Sequence, residues 1–224
     1  MPQPLGQGHL FRPDGDVQGL VVFVHGGYWM RFDPSLWSHL AAGPLAHGWA
    51  VALPAYTLAP AARIPGITQE VARTIAQAAA AIAGPIALTG HSAGGHLAAR
   101  MICDDGTLPA PLAARVSACV PISGLFDLRP LMRTRLNDTL RLDPAEAAAE
   151  SPALLTPRAD IPVTAWVGGA ERPEFLRQAR LLADIWAGLG AATQCVIAPG
   201  RHHFDVIESL ACPDSAMTRA LLSR

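Results

Sequence analysis

Short runs of apolar residues alternate along this chain with longer segments of helical period. Six runs are continuous hydrophobics of strand length, bounded by Gly, Pro or polar turns: Leu20–His25, Trp49–Pro54, Pro85–Thr89, Val116–Ile122, Ile161–Val167 and Thr193–Ile197. Strands apolar on both faces belong to a parallel sheet buried between two layers of helices. The segments between them have helical composition at Pro34–His47, Thr68–Ala83, Gly95–Asp104, Pro173–Gly188 and Asp214–Ser223. Pro173 suits a first helical turn, where its missing N–H costs nothing. The pattern predicts an α/β fold, a mostly parallel central sheet with helices on both faces, in one domain spanning residues 1–224. One stretch, 124–160, breaks the alternation with several prolines and with arginines at 129, 133, 135 and 141, and is expected to leave the sheet as a small cap.

Composition narrows the class. The chain has 224 residues, half of them apolar and 16% charged, with a net charge of −1, so it can bury a core and is not a disordered polymer. Its basic residues are all arginine and form no run, which argues against nucleic acid or an anionic membrane as partner and leaves a small-molecule substrate. A homo-oligomer is compatible with all of this. The first fifteen residues lack the basic start and apolar run of an export signal, and no stretch approaches the roughly 20 apolar residues of a membrane span. Four widely spaced cysteines with no C-x-x-C pair suit free thiols, so the expected location is cytoplasmic.

The chemistry concentrates in three places. Gly90-His91-Ser92-Ala93-Gly94 lies directly after one predicted strand and before a helix, the context that a nucleophile elbow requires, with Ser92 at its tip. His25-Gly26-Gly27-Tyr28-Trp29 follows an earlier strand, where a glycine-bearing turn can offer backbone N–H groups to a developing oxyanion. A serine needs a base and the base an acid, in the chain order Ser, acid, His. The base is then His202 or His203, because His96 sits four residues into the elbow helix and is expected to face away; His25 is read as a structural hydrogen-bonder. Glu171, in the loop after IPVTAWV, is the leading acid, with Asp127 as rival and Glu174 as a helix-start charge.

Together these residues resemble the serine-type arylformamidases, or kynurenine formamidases, of the α/β-hydrolase superfamily. The resemblance runs through His25–Trp29, Gly90–Leu97, Ser123–Leu131, Ser151-Pro152, Val167–Gln178 and His203–Leu210. It implies an α/β-hydrolase fold and hydrolysis of N-formyl-L-kynurenine to kynurenine and formate, with no metal and no cofactor. It places the nucleophile on Ser92, the acid on Glu171 and the base on His203, with an oxyanion hole from the N–H groups of Gly27, Tyr28 and Ala93. The family's acid is commonly Asp, so Glu171 is one methylene longer. The opening antiparallel hairpin is expected to be shortened or missing. Trp29, directly after the oxyanion turn, is expected to wall the acyl side of the substrate pocket; its competing assignment is to the core. A carboxylesterase for short acyl groups is the alternative function, and a non-catalytic binding scaffold the remaining one.

Overall fold

Each of the six predicted runs is a strand, and together they form the centre of an eight-stranded sheet. The structure is a computed structural model that describes residues 2–6 and 8–223. The strands are β1 (Gln3–Leu5), β2 (Gly8–Phe11), β3 (Gly19–Val24), β4 (Trp49–Leu53), β5 (Ile86–His91), β6 (Val116–Ile122), β7 (Val163–Gly168) and β8 (Thr193–Ala198). Their order in the sheet is β1-β2-β4-β3-β5-β6-β7-β8. All pairs from β4 to β8 are parallel, and the β1–β2 and β2–β4 pairs are antiparallel. The opening hairpin is thus shortened, with strands of three and four residues, too brief to declare themselves by alternation.

Both faces of the sheet are covered. Along β3, Leu20, Val22 and Val24 enter one apolar cluster while Val21 and Phe23 enter another, the period-2 alternation of a strand with two buried faces. After the short helix α1 (Ala42–Ala46), the first cluster is closed by α2 (Ile64–Ala81), α3 (Ala93–Arg100) and the later helix Pro173–Gly188. On the second face lie the 3₁₀ turn Pro34–Ala41, the turn Val206–Ala211 and the C-terminal helix Ala216–Leu222. The expected helix Pro34–His47 is divided into that 3₁₀ turn and a short helix, Ala42–Ala46, because Pro44 has no N–H to continue a helix begun at Pro34. The second helix starts at Ile64, four residues before the expected Thr68, since Pro65 presets its first turn.

Segment 124–160 leaves the sheet as a chain of short turns: Arg129–Arg133, Asn137–Leu140, Pro144–Ala149 and Pro152–Leu154. Its apolar residues Phe126, Leu128, Leu140 and Leu142 join the cluster under α3. Glu150 fastens its far end, accepting hydrogen bonds from Thr68 Oγ1 (2.7 Å) and Arg100 Nε (3.2 Å), while its carbonyl takes the His96 Nε2–H (2.6 Å). This connection therefore rides on the helix that begins at Ser92. Among the described residues no helix is long and apolar enough to cross a membrane.

Candidate active site

Ser92 stands at the junction of β5 and α3 with φ 56° and ψ −116°, a conformation that an L residue holds only when its surroundings impose it. The surroundings here are two close approaches. A Cβ on Gly94 would fall on the carbonyl of Val24, and one on Gly90 would fall on the carbonyl of Gly94, so strand and helix meet too tightly for any side chain at either position. The Ser92 N–H is held by the Ile122 carbonyl of β6 at 2.8 Å. Ala93 opens α3, so its N–H has no partner within the helix.

The turn after β3 brings backbone to the same place. Gly27, Tyr28 and Trp29 have φ of 114°, 54° and 59°, three successive residues in the left-handed region. His25 supports them from beneath, its ring stacked between Tyr56 (4.4 Å, 7°) and Trp37 (5.3 Å, 14°), with Nδ1–H donating to the Gly26 carbonyl at 2.7 Å. Burial depresses its pKa, so it stays neutral there.

Glu171 and His203 meet across the ends of β7 and β8. The Glu171 side chain is wholly buried, and Oε2 accepts from His203 Nδ1–H at 2.6 Å. Its Oε1 accepts from the Gly168 N–H (2.7 Å) and the Ser123 hydroxyl (2.5 Å). With Nδ1 committed to a carboxylate, Nε2 is the nitrogen left to act as a base. The His203 ring lies 4.2 Å from Phe175, 4.5 Å from His91 and 5.4 Å from Phe204. Ser92 and His203 both line a cavity of about 570 Å³, together with Gly27, Tyr28, Phe32, Trp37 and Phe204. A shallower groove of about 770 Å³, around His47 and Arg219, holds none of these groups.

A family model described as the alpha/beta hydrolase fold matches residues 21–205. The chain belongs to this family. It is similar to a kynurenine formamidase of Salmo salar, 30% identical over 216 residues that span 91% of this chain and 71% of that protein. Among solved structures it is similar to a protein of Silicibacter sp. tm1040, provisionally named a thioesterase, at 51% identity and TM-score 0.92 over 98% of this chain and 81% of that one. An esterase of Pyrobaculum calidifontis, 20% identical, superposes with TM-score 0.77 over 98% of this chain and 81% of its own, a likeness of fold. Family and relatives make the chain a hydrolase of amide or ester bonds.

The hydrolase departs from expectation at Trp29. Its side chain is fully buried, belongs to the core cluster and is absent from the cavity lining; the indole stands edge-on to His96 (5.1 Å, 81°). The left-handed φ at Trp29 turns its side chain inward while leaving the preceding turn beside Ser92. The cavity wall comes instead from Phe32, Leu36, Trp37 and Phe204.

The rival site residues are engaged elsewhere. Asp127 binds Arg129 through both oxygens (2.9 Å each), and that guanidinium lowers its pKa. Glu174 pairs with Arg177 at 2.7 Å and accepts from Gln178. His202 is exposed, with Nδ1 accepting from the Phe204 N–H at 3.1 Å. His96 does face away from Ser92, into the core against Glu150. Sequence reasoning missed Ser123 as a partner of Glu171; the available signal was a small polar residue at the end of a parallel strand. It also missed His91 as a neighbour of His203, a fully packed imidazole whose pKa burial lowers to about 3.

Proposed function

We propose that the hydrolase moves a formyl group from an aryl amine to water, converting N-formyl-L-kynurenine to kynurenine and formate. The observation that supports this most is the hydrogen bond between buried Glu171 and His203, made beside Ser92 in a half-enclosed apolar cavity. The formamidase relatives support the substrate. In this reading His203 Nε2 takes the Ser92 proton as Oγ attacks the formyl carbon. The N–H groups of Gly27, Tyr28 and Ala93 hold the oxyanion, each such donor contributing about 3 to 4 kcal/mol in the transition state. Glu171 stabilises the imidazolium that forms. His203 then gives its proton to the leaving nitrogen, and the C–N bond breaks to leave a formyl ester on Ser92. Water, deprotonated by His203, attacks that ester, and His203 returns the proton to Ser92 Oγ as the acyl–oxygen bond breaks and formate departs. The scheme uses no metal and no cofactor.

A second reading has its own support, since the Silicibacter protein carries a thioesterase name. Against a polyanionic carrier thioester, Arg31 is the sole arginine of the described cavity lining. One panel tests both: kcat/KM for N-formyl-L-kynurenine, acetyl and butyryl p-nitrophenyl esters, and a short aryl thioester. The expected order puts the formamide's rate, relative to its uncatalysed reaction, first. A formamide left untouched while butyryl ester or thioester turns over would replace the assignment. The four free thiols fit a reducing compartment, and we place the enzyme in the cytoplasm.

A further inference from the structure

We propose that the leaving-group side of the cavity selects an aromatic ring bearing an anionic group, and that Arg31 meets that charge. The proposal rests on the hydrolytic reading above and adds a specificity determinant to it. Phe32, Leu36 and Phe204 are 51%, 59% and 73% exposed, yet all three line the opening that holds Ser92 and His203. Single exposed apolar side chains are ordinary, but three around one mouth mark a surface built to be covered. Trp37 extends it, edge-on to Phe32 at 5.6 Å. A planar ring laid among these groups would take their apolar area out of water and gain edge and face contacts as well.

The side of the reaction is set by Phe204. It follows His203 directly, with ring centroids 5.4 Å apart. The atom that leaves must come within hydrogen-bond reach of His203 to receive its proton. The group attached to that atom therefore lies on the Phe204 side of the cavity.

Apart from His91, His203 and the phenol of Tyr28, the ionisable residues of the lining are Arg31, His39 and Glu208. A Glu208 carboxylate oxygen lies 3.4 Å from His39 Nε2, and nearby Asp33 uses its carboxylate to accept the Ser35 N–H at 2.9 Å. The Arg31 guanidinium has neither an ion pair nor a hydrogen bond among the described residues, and the catalytic scheme does not use it. A planar fork of donors matches a carboxylate, and beside an apolar wall the attraction is less screened than in open water.

The test uses three acetyl esters of matched phenols: meta-acetoxybenzoate, its neutral methyl ester, and the meta-trimethylammonium analogue. Each kcat/KM is normalised to hydroxide hydrolysis of the same ester. Arg31 is exposed, so the wild type is expected to favour the anion over the neutral ester by about two- to fivefold, the scale of an exposed charge pair. The cation should come last. The anion-to-neutral ratio should fall toward one in Arg31→Gln, recover partly in Arg31→Lys, and shrink with added salt. Equal rates, or a preference for the cation, would overturn the proposal, the latter assigning the rim to Glu208. So would Arg31→Gln lowering all three by one factor, which is a structural effect. Failure of the folded wild type to cleave any ester or to take a fluorophosphonate label would instead defeat the hydrolytic reading itself.

Discussion

Ser123 donates its hydroxyl hydrogen to Glu171 Oε1 at 2.5 Å while Oε2 of the same carboxylate accepts from His203. The Glu171 carboxylate is thus oriented by Ser123 and the Gly168 N–H as well as by the histidine. Hydrogen bonds to charged groups contribute about 1.5 to 3 kcal/mol. Ser123→Ala should lower kcat by roughly tenfold, with a stability change too small to explain it; steady-state kinetics beside thermal unfolding checks this, and an unchanged kcat would show that Gly168 alone suffices.

Ser92→Ala should lower kcat by about a million-fold with the fold intact, since a nucleophile and its base act as a unit. Fluorophosphonate labelling of the wild type should vanish in the variant. Residual activity within tenfold would remove Ser92 from the mechanism.

For the acid, Glu171→Gln should cost on the order of 10⁴ in kcat, because an amide no longer holds the imidazole in the required tautomer. Asp127→Asn should cost far less, as Asp127 engages the half-exposed Arg129. Comparing kcat for the two variants decides between them; the reverse order would restore Asp127.

Trp29→Ala should reduce stability by about 3 to 5 kcal/mol, the usual cost of emptying a buried aromatic site. Denaturant titration measures this. The relative kcat/KM for acetyl, butyryl and hexanoyl esters should stay as in the wild type; a shift toward longer chains would return Trp29 to the pocket.

Burial lowers the pKa of both His91 and His96 to about 3, against 6.5 for the ordinary side chain. Folded pKa values below the unfolded ones mean that the unfolded chain binds more protons in this window. Stability from these groups is full above pH 6.5 and is lost progressively as pH falls toward 3. Two such protons imply a slope of about 2.7 kcal/mol per pH unit well inside the window. Urea unfolding at pH 7, 6 and 5 tests this, with His96→Gln expected to flatten the slope by about half.

Much of this molecule is determined by local chemistry, and that part was legible in the sequence. The strands from Gly19 to Ala198 follow from runs of apolar residues too short for helices. The elbow at Ser92 follows from glycines two residues to either side, a requirement of backbone packing that only those residues satisfy. Chain order and resemblance name His203 and Glu171 as candidates, and the hydrogen bond between them is a tertiary fact. Direction and partner were decided by tertiary structure alone. Trp29 sits beside the oxyanion turn in sequence yet points into the core, because a left-handed φ reverses the side chain, and no periodicity encodes that sign. Ser123 and Glu171 lie 48 residues apart and meet only because β6 and β7 are neighbours in the sheet. Nothing in the sequence separates Phe32, Leu36 and Phe204 from the other apolar residues. They stay exposed because the fold closes its two apolar clusters without them and leaves them around the opening above Ser92.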